Sequence, residues 1–251
     1  MSIHWTNKGL PFIHHEVITE WDMKSANTSL MRFYHLASND EIDKIESLSK
    51  DKREVYVGNK SRRDKEFGQK LEKAFTNIIE KFIQDNGLDR DEDIISIKKD
   101  AVFVRNRAVK VSRYGDSVLF RSKGVYSGFM LLPKYEFYIT SNGSMDVKGI
   151  NDSLLPLHKD GVLEFIAGVF MEAQNDRELQ LFMKEYSSLY KDRRLLFNAY
   201  RQFDTNSKFR VNLYGNMVDM DDINESLLQY LDISYNYLNV YLPTLKLVIG
   251  R

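Results

Sequence analysis

Glu20-Trp21-Asp22-Met23-Lys24-Ser25-Ala26-Asn27-Thr28-Ser29-Leu30-Met31-Arg32 is the stretch on which the reading of this chain turns. Ahead of Asp22 runs Val17-Ile18-Thr19-Glu20-Trp21, whose β-branched and aromatic residues read as a strand. Behind it a helix-like run begins at once, with Ser25, Asn27 or Thr28 as candidate N-caps. A second stretch has the same logic. In Ile94-Ile95-Ser96-Ile97-Lys98-Lys99-Asp100-Ala101-Val102-Phe103-Val104, two short β-rich runs flank Lys99-Asp100, the pattern of a hairpin with a carboxylate at its tip. Two aspartates at two strand ends make a candidate site for a hard divalent cation, which binds one or two carboxylates together with substrate phosphates. Glu20 is a candidate accessory ligand, because residues two apart share a strand face.

Composition sets the limits around these stretches. The chain has 251 residues and an apolar fraction of 43%, enough for one large domain or a domain with an appendage. It has no cysteine, which excludes disulfides and zinc–thiolate sites. Thirty-six basic residues balance thirty-six acidic ones. No segment is long and apolar enough to span a bilayer, and no secretory signal pattern opens the sequence, so a soluble, cytoplasmic protein is expected. His14 and His15 lack further ligands at metal spacing. As neighbours on a strand they are expected to point to opposite faces and to serve structure.

Outward from Asp22, residues 26–37 read as a helix with Leu30, Met31, Phe33, Tyr34 and Leu36 on an apolar face. Ser38 is a candidate N-cap for a charged helix over 40–50. Residues 51–66 are dense in charge. Residues 62–86 form an amphipathic helix, with Phe67, Leu71, Phe75, Ile78 and Phe82 at three- and four-residue steps and Gly87 as terminator. Beyond the hairpin, β-rich runs are expected over 108–113, 117–122, 125–132, 135–141 and 145–150, with Asn142-Gly143 as a tight turn. Residues 151–251 read as mostly helical, over about 159–174, 176–190, 191–203 and 221–249.

The overall neutrality conceals a basic block. Between Lys98 and Lys123 stand Lys98, Lys99, Arg105, Arg107, Lys110, Arg113, Arg121 and Lys123 against Asp100 and Asp116, interleaved with Phe103, Tyr114, Phe120 and Tyr126. Clustered cations beside aromatics are the footprint of phosphate-backbone binding, and equally of a sheet with a charged outer face.

At these residues the chain resembles the palm of family B DNA polymerases. Asp22-Met-Lys-Ser25-Ala-Asn27-Thr-Ser29-Leu30 is similar to that family's Asp-Phe-x-Ser-Leu-Tyr-Pro-Ser-Ile motif, matching at Asp22, Ser25 and Ser29. Lys98-Lys99-Asp100-Ala101-Val102-Phe103-Val104 is similar to Asp-Thr-Asp-Ser-x-Phe-Val, with Asp100 on the metal-ligand position and Lys98 in place of the first aspartate. Asn27 falls where the family has its sugar-gating tyrosine. Lys123-Gly-Val-Tyr126 resembles the family's Lys-x-x-Tyr element, and Val147-Lys148-Gly149-Ile150 resembles the Lys-Gly-Ile/Val strand after it, in the same order.

The resemblance implies an α+β architecture, an antiparallel palm sheet backed by helices with a helical region after it. Residues 1–150 would form the palm-like core, with a reduced fingers element at about 40–90, and 151–251 a thumb-like or capping region. It implies Asp22 and Asp100 as catalytic metal ligands for Mg²⁺ or Mn²⁺, with Glu20 accessory. Lys60, Arg63 and Asn27 would contact the nucleoside triphosphate. Lys98, Lys99, Arg105, Arg107, Lys110, Arg113, Lys123, Tyr126 and Lys148 would contact nucleic acid, DNA ahead of RNA, with other replication proteins as partners. The start of the sequence leaves no room for the family's exonuclease domain, so a minimal polymerase or a subunit of a split one is expected. A non-catalytic palm that binds nucleic acid or a replication partner is the alternative. Lys98 and Lys99 favour that alternative, since cations beside a metal site repel the metal.

Overall fold

The computed structural model describes residues 4–133, 135–149, 162–200, 210–219 and 222–250. The fold is mixed α+β with antiparallel sheet, and it divides into two compact units. One is built from residues up to Leu10 and Val17–Val125, the other from Pro11–Glu16 and from Tyr126 onward. Two long strands, β2 (Phe12–Met23) and β6 (Val118–Leu131), each contribute to both units. The expected division at 150/151 lies outside the described residues, and Val125 and Tyr126 fall in different compact units.

In the first unit β1 (His4–Thr6) pairs with β3 (Ile94–Lys98), β3 with β4 (Ala101–Arg105), and β4 with β2, all antiparallel. The first half of β6 lies on the other side of β2, where the Lys24 N–H donates to the Leu119 carbonyl at 2.9 Å. The hairpin around Asp100 is as its sequence predicts. Side chains alternate along these strands. Trp21, Met23, Val102, Val104, Val118 and Phe120 join the core under the helices, and Glu20 and Asp22 stand on the opposite face from Trp21.

The helices are α1 (Ala26–Phe33), α2 (Asn39–Glu46), α3 (Lys50–Arg63) and α4 (Lys65–Asp85). α1 starts at Ser25, which sits in the left-handed region at φ 48° without a side-chain cap, so the turn geometry alone sets that start. Ser38 caps α2 as expected, accepting from the Glu41 N–H at 3.3 Å. The charge-dense residues 51–63 are helical. They form α3, and Asp64 ends it and caps α4 in one step, accepting from the Phe67 N–H at 3.0 Å. α4 buries Phe67, Leu71, Phe75, Ile78 and Phe82 in the predicted register, and its Phe82 ring lies 4.4 Å from that of Phe120. Gly87 ends it at φ 59°.

Residues 108–112 do not form the expected strand. The Asn86 side chain at the end of α4 takes their backbone instead. Its Oδ1 accepts from the Lys110 and Val111 N–H groups at 2.7 and 2.8 Å, and its Nδ2 donates to the Val111 carbonyl at 2.8 Å. Only Arg113–Tyr114 remains as a short strand, β5, pairing with β6.

In the second unit the far half of β6 pairs with β7 (Glu136–Ile139), and β7 with β8 (Met145–Lys148) across the predicted Asn142-Gly143 turn. Helices α5 (Glu164–Glu172) and α6 (Asp176–Lys191) follow, with Asn175 capping α6 through the Glu178 N–H at 3.0 Å. A π-helical turn Tyr237–Tyr241 and α7 (Leu242–Ile249) complete the region. Its core centres on Phe165, Tyr190, Tyr200 and Tyr241. The expected starts of the helix at 159–161 and the end of that at 201–203 lie outside the described residues.

Two stretches depart from the helical expectation: the helix expected over 191–203 is, among its described residues past Lys191, turn and irregular chain with only a 3-10 turn at Phe197–Tyr200, and a small sheet stands further on. β9 (Arg210–Leu213), β10 (Asn216–Asp219) and β11 (Leu231–Asp232) form a small antiparallel sheet. Tyr214-Gly215 carries its turn with φ of 52° and 82°, the doubly positive conformation of a two-residue hairpin loop.

The two histidines also depart from expectation. His15 takes φ 58°, which breaks the strand alternation, so the rings of His14 and His15 lie on one side with centroids 3.7 Å apart. Their Nε2 atoms reach the Phe170 and Ala173 carbonyls at the end of α5, at 3.1 and 2.8 Å, a structural role. Among the described residues no helix is long and apolar enough to cross a membrane.

Both tryptophans, Trp5 and Trp21, belong to the first unit, so fluorescence reports its unfolding. Phe82→Ala is expected to destabilise that unit by about 3–5 kcal/mol in urea, as cavities left by core aromatics do. A loss below about 1 kcal/mol would mean that α4 is not its structural backing.

Candidate functional site

The register of β2 on β4 brings the two aspartates together. Asp22 lies opposite Ala101 and Glu20 opposite Phe103, and the Met23 N–H donates to the Asp100 carbonyl at 2.9 Å. Asp100 therefore sits in the Lys99-Asp100 turn beside the end of β2. Burial raises the proton affinity of its carboxyl, and the like charge of Asp22 adds to the rise, while Lys99 and Lys123 oppose it. Asp22 and Glu20 are largely enclosed, with side-chain exposures of 16% and 5%.

The cation on these carboxylates is not the one the sequence pointed to. Lys98 turns away and donates to Thr6 Oγ1 at 3.1 Å. Lys99, at φ 52° in the turn, places its Nζ 5.1 Å from the centre of the Phe75 ring. Lys123 on β6 occupies the position instead, with its Nζ 3.2 Å from Glu20 Oε1 and 3.6 Å from Asp22 Oδ1. Burial disfavours its charge, and the two carboxylates overcome that and hold its proton more tightly than usual.

A cleft of about 940 Å³ opens at this point. Asp22, Asp100 and the turn into α1 form its floor, and one face each of α3 and α4 forms its walls. The α3 face runs Lys50, Arg53, Glu54, Val57, Gly58 and Ser61, largely at helical three- and four-residue steps, and α4 adds Glu72. Gly58 leaves open space there, since a Cβ would meet nothing within 4 Å. Lys24, Lys99, Arg121 and Lys123 bring further positive charge. Asn27 lines the floor, its Oδ1 buried without a hydrogen-bond partner.

Lys60 and Arg63 do not line this cleft. Lys60 pairs with Glu41 on α2 and lies 4.7 Å over the Phe67 ring. Lys50 and Arg53 line the cleft instead. Charges surround α3, so composition pointed to the helix, and only the i, i+3, i+4 spacing from Lys50 through Ser61 could have pointed to the face. The basic block likewise separates. Lys99, Arg121 and Lys123 reach the cleft, whereas Arg107 pairs with Asp93 at 3.4 Å and Arg105 reaches the Glu92 carbonyl. Lys110 and Arg113 are exposed. In the second unit Tyr126 and Lys148 both bond Asp146 Oδ2, at 3.2 and 2.6 Å. Ile150 of the same motif lies outside the described residues.

Among the described residues no three His, Asp or Glu side chains gather into a metal-binding group. The donor set that the two aspartates offer is two carboxylates at adjacent strand ends. Hard oxygens of this kind suit Mg²⁺ or Mn²⁺ whose remaining positions go to water and phosphate. Burial is the main cause of the raised proton affinity of Asp100, and the neighbouring charge of Asp22 adds to it.

This fold is one found in family B DNA polymerases. The structure of the family B DNA polymerase from the hyperthermophilic archaeon Pyrobaculum calidifontis matches 97% of this chain and 46% of its own, with a TM-score of 0.50 and 10% sequence identity. The chain thus spans less than half the length of that polymerase. Over residues 2–249 it matches the family described as Bacteriophage PBS1 gene 130 protein, and it belongs to that family. No curated protein matches it.

An ionised Asp100 costs stability, fully above its raised pKa and not at all below the ordinary carboxylate range. Asp100→Asn is therefore expected to raise the melting temperature at neutral pH in metal-free buffer, by about 2–4 °C per kcal/mol of relieved repulsion and burial. The gain should shrink as pH falls toward the ordinary carboxylate range. An unchanged or lower melting temperature across that range would contradict the crowding of Asp22 and Asp100.

Proposed function

We propose that the cleft carries out metal-dependent nucleotidyl transfer on nucleic acid, as a minimal DNA polymerase-like protein or a subunit of a split polymerase. The observation that carries this reading is the meeting of Asp22 and Asp100 at the floor of a cleft also lined by Lys24, Lys50, Arg53, Lys99, Arg121 and Lys123. Mg²⁺ or Mn²⁺ on the two aspartates would lower the pKa of an attacking 3′-hydroxyl and neutralise the leaving pyrophosphate. Asp22 and Asp100 act as the oxygen donors for that metal, with Glu20 behind them.

Lys50 and Arg53 on α3 bind the triphosphate, in the role that the resemblance implied for Lys60 and Arg63. They act as fixed charges where negative charge develops. Lys24, Lys99 and Arg121 contact backbone phosphates, which fix position without reading sequence. Asn27 faces the sugar. DNA is the preferred template, replication proteins are the natural partners, and the cytoplasm is the setting this reading implies.

A second reading has its own observation. Lys123 already neutralises Glu20 and Asp22, which favours a non-catalytic palm that only binds nucleic acid. Primer extension with Mg²⁺ and with Mn²⁺ separates the two. The enzyme reading expects extension by the wild type, lost to background in Asp22→Asn and Asp100→Asn. Nucleic-acid affinity should persist in both variants and fall steeply with salt, the logarithm of the binding constant dropping by about 0.9 per phosphate contact for each decade on duplex DNA. Salt-sensitive binding without extension on any template would select the second reading. Absence of binding at low salt would overturn both.

A further inference from the structure

Lys123 has a position that the proposed chemistry leaves unexplained. Its ammonium rests against Glu20 and Asp22 at 3.2 and 3.6 Å, where an incoming cation would find the same oxygens. The arrangement follows from the strands. On β2, residues 20 and 22 share a face, and the antiparallel first half of β6 runs alongside. Val118 and Phe120 of β6 enter the core beneath the helices, so Arg121 and Lys123 fall on the face of the acids.

The partners differ in freedom. Glu20 and Asp22 are held in the strand and enclosed, whereas Lys123 is 54% exposed on a flexible four-carbon stem. Of the three, the lysine is the one that can leave. The other two lysines near Asp100 have their own contacts, Lys98 on Thr6 and Lys99 over Phe75.

We propose that Lys123 is an internal counter-ion that keeps divalent metal from the acid pair until a phosphate in the cleft draws its ammonium away. This rests on reading Asp22 and Asp100 as the metal site. An ammonium a few ångströms from a bound metal repels it, so with Lys123 seated the metal binds weakly. A nucleic-acid phosphate entering the cleft offers Lys123 another anion, with Arg121 beside it on the same strand. Metal and phosphate backbone then strengthen each other's binding by the same factor, as linkage requires. The divalent metal thus loads together with the polymer.

The test measures Mn²⁺ binding by the full chain, from the electron paramagnetic resonance of free Mn²⁺. It uses the wild type, Lys123→Met and Lys123→Arg, each alone and with a short oligothymidylate, against protein-free oligonucleotide controls. Lys123→Met is expected to bind Mn²⁺ about tenfold more tightly than wild type or more, given a full charge at this distance. Lys123→Arg keeps the charge and should match wild type. Oligothymidylate should tighten Mn²⁺ binding to the wild type and leave Lys123→Met unchanged. Adding Asp100→Asn to Lys123→Met should remove the gain.

Lys123→Met also strips Glu20 of this ion pair and could weaken the fold, so Glu20→Gln/Lys123→Met serves as the second variant. Equal Mn²⁺ affinity in wild type and Lys123→Met, with binding lost in Asp100→Asn, would overturn the counter-ion while leaving the metal site. No Mn²⁺ binding by either folded methionine variant would overturn the counter-ion and the metal site together.

Discussion

The register of β2 on β4 is the constraint on which the candidate site depends. With Asp22 opposite Ala101, the tip of the β3–β4 hairpin falls beside the end of β2, and the backbone bond from Met23 to Asp100 closes the arrangement. A slip of one residue would exchange the two faces of β2. It would turn Trp21 and Met23 away from α4 and drive Glu20 and Asp22 into the core. The burial of α4 on that sheet and the meeting of the acids are therefore one fact. The apolar face of α4, with Phe82 against Phe120, excludes the alternative register.

Charge balance at the site follows from the same pairing. Acids on one strand face collect beside a turn, and the adjoining strand supplies a lysine to them. The repulsion registered at Asp100 is thus relieved from the side by Lys99 and Lys123. Around this centre Lys50 and Arg53 on α3 are offset by Glu54 and Glu72 on the helix walls, and the surplus of cations comes from Lys24 and Lys99 in turns and from Arg121 and Lys123 on β6. The cleft of a chain of zero net charge is thus only modestly basic, with Asp22, Glu54, Glu72 and Asp100 among its lining residues, while other acids pair outside it, as Glu41 does with Lys60, Glu80 with Arg90 and Asp93 with Arg107.

Much of the first unit was legible in the sequence, because its elements follow short-range rules. The five apolar residues of α4 gave its length and buried face, Ser38 marked the start of α2, and the β-rich runs around Asp100 gave the hairpin. The two aspartates were legible for the same reason, each standing at the end of a strand-like run. Long-range partners were not. Nothing local says that Asn86 will capture the backbone at 110–111, or that Lys60 will turn to Glu41. Lys123 was singled out for nucleic acid, but its placement on Glu20 and Asp22 depends on β6 lying beside β2, a pairing made across a hundred residues of chain. The hairpin at Arg210–Asp219 was passed over because its turn rests on a left-handed tyrosine, a conformation that non-glycine residues seldom adopt.

The central claim is that Asp22 and Asp100 together hold a divalent metal at the floor of the cleft. The most direct measurement is anomalous diffraction at the manganese edge, from crystals grown with Mn²⁺, an oligonucleotide primer–template and a non-hydrolysable nucleoside triphosphate. The account predicts a manganese peak bonded to oxygens of both aspartates at about 2.0–2.2 Å, the range for small hard divalent ions, with Lys123 displaced toward phosphate. A fully occupied complex with no manganese on either aspartate, and Lys123 still seated on Glu20 and Asp22, would contradict it.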